Sequence, residues 1–233
     1  MKLINTTLLS LLLAVSISAA EAKKPTADYL QDVSVTIVSE GLFSRGEGSG
    51  VIFSRKDKDG NTVNFIWTAA HVIDNLRSER KVIVNGAPKT LVQFKDAKIV
   101  KVVRQNGRSV GQLELDAEVI KYSDSEDGHD LALLKVRKLN FVSDTVKFYL
   151  DKEIPKLGTD LWHVGSLLGQ MGSNSMTDGV YSQTGRLIKS LNKHVFDQTT
   201  VAAFPGSSGG GVFLKSVARY VGMLVRGAGE TFN

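Results

Sequence analysis

The chain has 233 residues, 42% of them hydrophobic and 7% aromatic, with no cysteine and a formal net charge of +5. This content excludes a disordered chain and supports one large or two small domains with a real core, while the missing cysteine removes disulfides, thiolate nucleophiles, Cys-based metal sites and lipidation at Cys. The basic residues, among them Arg45, Arg55, Arg77, Arg80, Lys101, Arg104, Arg137 and Arg186, are spread without interleaved aromatics, which argues for solvated surface and against nucleic-acid binding.

In chain order, residues 1–22 read as a secretory signal peptide: Lys2, an apolar run from Leu8 to Val15, then Ser18-Ala19-Ala20-Glu21-Ala22 with cleavage after Ala20 or Ala22. The apolar run is short of a membrane span, so no stable anchor is expected after cleavage. Lys2 and Glu21 cancel, which leaves the mature charge unchanged. An exported chain without cysteine must be held by packing, and it suggests a bacterial periplasmic or extracellular protein.

Alternation predicts strands at Val33–Val38 and Gly48–Phe53, a turn over Lys56–Asn61, and a returning strand Asn64–Thr68 that delivers His71 just past its end. Lys81–Val84, Thr90–Phe94, Ala97–Val103 and Leu113–Lys121 are expected to complete a first barrel, with Leu131–Val136 following the polar loop 122–128. A second set is expected at Val146–Leu150, Asp160–Val164, Gly179–Ile188, Thr199–Ala203, Gly210–Leu214 and Val221–Val225. Short strands at this spacing, with no long helical period, predict an all-β architecture. Arg137-Lys138-Leu139-Asn140 breaks an apolar strand, so the boundary is placed near 138–150, giving domains 23–140 and 141–233.

Three short patterns carry chemistry: Thr68-Ala69-Ala70-His71, Gly128-His129-Asp130-Leu131 and Gly206-Ser207-Ser208-Gly209-Gly210. A serine framed by glycines lets the backbone bend sharply and turn successive N–H groups into one concavity, and Pro205 stiffens its entry. Asp130 opens an apolar strand, where an unpaired carboxylate is costly, so an imidazole partner such as His71 is expected. The pentapeptide also fits the Gly-x-Ser-x-Gly elbow of α/β-hydrolases, but no His follows Ser208. The subtilisin order requires an Asp ahead of the His, and Asp57 and Asp59 read as turn residues, so the order His, Asp, Ser remains.

Other titratable residues have plainer readings. His163 and His194 read as core or surface residues, His129 should point opposite to Asp130, and Asp124 and Asp127 belong to the polar loop. Asp57-Lys58-Asp59-Gly60-Asn61 lacks the later bidentate Glu of a calcium loop, and no His-Glu-x-x-His occurs, so neither metal nor cofactor is expected.

Together with Gly48-Ser49-Gly50-Val51-Ile52, Asp130-Leu131-Ala132-Leu133-Leu134-Lys135 and Pro205-Gly206-Ser207-Ser208-Gly209-Gly210, these patterns resemble the chymotrypsin clan of trypsin-like serine proteases, and bacterial HtrA/Deg-type protease domains most of all. The resemblance covers roughly residues 30–227. It implies two six-stranded-type antiparallel β-barrels with the catalytic cleft between them. It also implies Ser208 as nucleophile, His71 as general acid and base, Asp130 as orienter, and the N–H groups of Gly206 and Ser208 as oxyanion donors. Ala202, Ala203, Val225, Arg226 and Gly227 become the substrate-binding positions. The function implied is an exported serine endopeptidase acting on protein or peptide substrates through an acyl-enzyme, without cofactor.

The chain departs from that pattern in four places. Ser207 stands where trypsins carry the Asp that pairs with a newly cut N-terminus, so activation by that ion pair is not expected. The sequence ends at Asn233, short of the further strand and terminal helix of relatives, so the second barrel is expected to lack its last strand or to close differently. No PDZ-like region follows. No acidic residue stands near Ala202 at the pocket base, which predicts cleavage after small or medium apolar residues. The alternatives are a catalytically inactive protease-fold binding or structural protein and, resting on charge alone, a basic surface-adhering module.

Overall fold

The computed structural model describes residues 26–105, 107–126, 128–187 and 194–227; the expected signal peptide lies outside them. A short helix, α1 (Thr26–Asp32), precedes β1 (Ser34–Glu40), in which six of seven residues are buried. Both faces of β1 are covered because it forms part of a barrel wall that is itself packed from outside. β2 (Arg45–Lys56), β3 (Thr62–Thr68), β6 (Ala97–Gln105), β7 (Arg108–Ser123) and β8 (Leu131–Val136) complete a closed six-stranded barrel in the order β1-β2-β3-β8-β7-β6. The β2–β3 turn is the predicted one, with Asp57 Oδ1 accepting the N–H groups of Asp59 and Asn61 at 2.9 and 2.8 Å. Ile37, Ile52, Ile66, Ile99 and Leu134, all fully buried, fill the barrel.

The strands expected at Lys81–Val84 and Thr90–Phe94 do form, as parts of β4 (Arg77–Val84) and β5 (Ala87–Phe94), but they do not join the barrel. They pair only with each other, through a two-residue Asn85-Gly86 turn in which both φ angles are positive, at 52° and 79°. Alternation signals extended backbone and not its partner; here the residues face solvent, Ile83 being 71% exposed, and the barrel closes by pairing β1 with β6.

The second sheet contains β9 (Asp160–Leu167), β10 (Gly172–Leu187), β11 (Val195–Thr199), β12 (Gly211–Leu214) and β13 (Arg219–Met223), ordered β11-β10-β9-β12-β13. Among the described residues it has five strands where six were expected. Val146–Leu150 is not a strand: it contributes a single bridge, Phe148 with Tyr220, and Val146 donates its N–H to Ile52 O instead. The expected strand Thr199–Ala203 is displaced. β11 ends at Thr199, and the side-chain hydroxyl of Thr200 accepts the Val180 N–H at 2.9 Å, after which the chain leaves the ladder.

A separate apolar cluster joins the two sheets: Leu30 and Val33 from the N-terminal segment, Val51 from β2, Val146, Val164 from β9, Phe213 from β12 and Tyr220 from β13. Leu30 is fully buried there, which stabilises the docked helix by about 2 kcal/mol. The helix is thus part of the packed molecule.

Candidate active site

β3 runs through Phe65, Ile66 and Trp67 to Thr68, and the chain then turns at Ala69 into a 3-10 helix over Ala70–Leu76. That helix buries Ala70, Val72, Ile73 and Leu76 against the barrel end, so His71 stands in its first turn instead of on a free loop. Ala69 and Ala70 are essentially inaccessible, so neither methyl has open space beside it for a larger side chain.

Asp130 is 3% exposed and adopts φ +53°, a left-handed backbone that Asp tolerates better than most residues. The turn is set by the N–H groups of Gly128 and Asp130, which both donate to Asp124 O, at 3.0 and 3.2 Å. The carboxylate is held twice by one residue: Oδ1 accepts the His71 backbone N–H at 2.9 Å, and Oδ2 lies 2.8 Å from His71 Nδ1. A carboxylate only accepts, so the proton of the neutral ring resides on Nδ1 and Nε2 is left as a base. His129 turns the other way, its ring 4.7 Å from that of His194.

Ser208 lies in the turn between β11 and β12. Pro205 O accepts the Leu168 N–H at 2.7 Å, and Ser207 O accepts the Gly210 N–H at 2.9 Å. In a trans peptide the N–H points opposite to the C=O, so anchoring these two carbonyls turns the Gly206 and Ser208 N–H groups away from their anchors. Among the described residues neither N–H has an acceptor, which leaves two donors, two residues apart, free for a ligand oxygen. Gly206 has φ +91°, and an added Cβ would lie 2.2 Å from Ser166 O; Gly209 has φ +82°, and its Cβ would lie 2.1 Å from Ser49 O and 2.3 Å from Thr68 Oγ1. Only glycine fits either position. Among the described residues no hydrogen bond joins His71 to Ser208 Oγ, a contact that such sites often tighten only when substrate arrives.

Sequence reasoning missed the residue that ties this turn to the barrel. Ser49 Oγ donates to Gly206 O at 2.6 Å and accepts the Ser166 N–H at 2.7 Å, while the Ser49 N–H donates to Ser208 O at 2.7 Å. The Gly48-Ser49-Gly50 pattern marked the place but not the role of the hydroxyl. Glu47 acts nearby, its Oε2 accepting the Gln170 N–H at 2.8 Å.

A cavity of about 260 Å³ opens beside Ser208, lined by Ala203, Phe204, Pro205, Ser207, Ser208, Leu224, Arg226 and Gly227. Of the expected substrate positions, Ala203, Arg226 and Gly227 line it. Ala202 is exposed and its carbonyl accepts the Thr177 hydroxyl at 3.3 Å, and Val225 packs against the barrel core. A larger open groove, about 490 Å³ between Lys101–Arg104 and Asn140–Asp144, shares no residue with this site. Beneath the turn, His163 is fully buried, its Nδ1 3.1 Å from Gly211 O and its Nε2 without a partner. Burial pushes its pKa down to about 4, partly countered by the Gly211 carbonyl. Among the described residues no group of three or more His, Asp or Glu side chains could hold a metal ion, and no helix is long and apolar enough to cross a membrane.

The chain is similar to known proteins. The chain is 28% identical to the serine protease Do-like HtrA of Lactococcus lactis subsp. lactis over 179 residues, 74% of this chain and 35% of that protein, and equally to its subsp. cremoris counterpart over 178 residues. It therefore spans about a third of the length of the curated relatives it matches. The structure superposes on that of Deg5 with a TM-score of 0.58 at 22% identity, covering 86% of this chain and 82% of that one. It also superposes on a serine endoprotease from Yersinia pestis with a TM-score of 0.58 at 21% identity, covering 87% and 58%. At such identities these likenesses speak for the fold. The trypsin-like peptidase domain family matches residues 48–223, which takes in His71, Asp130 and Ser208, and the chain belongs to that family.

Proposed function

We propose that this protein is an exported serine endopeptidase that hydrolyses protein substrates through an acyl-enzyme. The observation that carries the reading is the doubly bonded His71–Asp130 pair together with a serine turn whose Gly206 and Ser208 N–H groups have no acceptor among the described residues. Ser208 Oγ attacks the scissile carbonyl, and His71 Nε2 takes its proton and later delivers it to the leaving amine. Asp130 holds the imidazole tautomer and stabilises the imidazolium. The Gly206 and Ser208 N–H groups stabilise the tetrahedral oxyanion, each donor being worth roughly 3 to 4 kcal/mol of barrier in such sites. Water then attacks the ester carbonyl by the same proton route in reverse.

The cavity contains no carboxylate among its lining residues, which supports cleavage after small or medium apolar side chains and not after Lys or Arg. Ala203 and Gly227 shape its walls. Export to a bacterial periplasm or beyond rests on the character of residues 1–22.

The second reading, a protease fold that binds without turnover, draws on the absence of a His71–Ser208 hydrogen bond among the described residues. Intact-mass analysis after exposure to a fluorophosphonate separates the two. An adduct on Ser208 that is lost in Ser208→Ala and His71→Ala is expected for the peptidase. A folded, unlabelled wild-type protein would establish the binding scaffold instead.

A further inference from the structure

Among the described residues, Arg226 is the only charged one lining the cavity beside Ser208. At Gly227 an added Cβ would lie 3.9 Å from the Cβ of Ala203, so position 227 faces the cavity wall, while the Arg226 side chain makes its contacts elsewhere. The guanidinium reaches toward the barrel, where Nη2 donates to Ser125 O at 3.0 Å and stands 4.0 Å from Asp130 Oδ2.

That environment does not use the charge up. Asp130 already accepts two hydrogen bonds from His71, and Asp124 is paired with Arg77 at 3.1 Å. Asp74 accepts the Ser125 hydroxyl. Among the described residues the guanidinium has one hydrogen-bond acceptor for its five donors, and the side chain is 41% exposed beside an imidazole that is 32% exposed.

We propose that Arg226 selects an acidic side chain, Asp or Glu, on the substrate residue immediately before the one whose carbonyl is attacked. The proposal rests on the peptidase reading above and deepens it. A peptide laid along residues 225–227 as an added strand alternates its side chains. The side chain of the attacked residue enters the cavity with Ala203 and Gly227, and the preceding one is turned to the opposite side, where His71 and Arg226 stand. A carboxylate there meets the planar fork of a guanidinium whose remaining donors are free to form charge-assisted hydrogen bonds. Because the pair is partly solvated, the expected discrimination is modest, about fivefold in kcat/KM for Glu over Gln at that position, and it declines as salt is raised.

The test uses the protein and three peptides identical except for Glu, Gln or Lys before an apolar cleavage residue, with fluorophosphonate labelling of Ser208 run in parallel. The expected result is a Glu preference that disappears in Arg226→Gln and becomes a preference for Lys in Arg226→Glu. If Arg226 merely clamps the Ser125 loop, its replacement lowers cleavage of all three peptides by the same factor and leaves their ratios unchanged, which overturns the proposal. Wild-type cleavage with no Glu preference overturns it as well, while leaving the peptidase reading intact. Absence of both cleavage and labelling removes the peptidase reading and this inference with it.

Discussion

His71 and Asp130 are carried by a closed barrel filled with isoleucine, valine and leucine, whereas Ser208 sits on a turn held by glycine conformations and by hydrogen bonds to one serine of the opposite sheet. In the first region, apolar packing fixes the backbone and a single carboxylate aims the side chain. In the second, little apolar surface lies under the turn; its shape comes from which carbonyls are anchored. The difference teaches that damage should read differently in the two. Changes to the barrel arm should cost chemistry while leaving the serine reachable, and changes to the turn should cost structure and chemistry together.

The largest separation is expected from Asp130→Asn, which keeps the backbone conformation but removes the charge and the tautomer control. Turnover should fall about ten-thousandfold, with thermal unfolding nearly unchanged. A loss of less than tenfold in kcat would show that the carboxylate does not orient the base. Gly209→Ala attacks the other arm. Its methyl would press on Ser49 O and Thr68 Oγ1 at a φ of +82°, so strain and overpacking together should cost about 4 kcal/mol. Urea unfolding and Ser208 labelling should fail in step, and a stable but unreactive protein would break the expected link.

His163 sharpens the comparison through pH. The unfolded chain binds its proton near pH 6.5 and the folded chain only near pH 4, so stability is fully present above pH 6.5 and is lost as pH falls through that window. The loss amounts to about 3 kcal/mol by pH 4. The urea midpoint of the wild type should fall relative to that of His163→Leu from pH 7 through 5.5 to 4; a constant difference would remove His163 from the account. The smallest effect is expected from Ser49→Ala, which leaves Gly206 O and the Ser166 N–H unpaired beneath the turn, at about 2 kcal/mol. Differential scanning calorimetry measures that cost, and labelling kinetics report whether the donor turn loosens with it.

His71, Asp130 and Ser208 were legible as candidates because each sits in a short pattern whose residue types have a local reason: alanines ahead of the histidine, a carboxylate opening an apolar strand, glycines around a serine. The all-β class was legible from alternation for the same reason. What alternation does not encode is pairing, so β4 and β5 read as barrel strands while in fact closing on each other. The helix Thr26–Asp32 was too short to show a period, and only its burial of Leu30 at the seam gives it away. Ser49 escaped notice because its hydrogen bonds run to residues 166 and 206, far along the chain. Arg226 was placed at the site from sequence, but the direction of its guanidinium follows only from the segment's geometry.

Position 130 also sets a limit on sequence variation. The φ of +53° asks for a residue at ease in the left-handed region, and the two bonds to His71 ask for an anionic acceptor one carbon from the backbone. Asparagine meets the first requirement alone. Glutamate supplies the charge from one methylene too far, on a backbone less tolerant of that handedness. The position therefore has a vocabulary of one residue, in which the backbone turn and the hold on the His71 ring impose separate demands that only aspartate satisfies together.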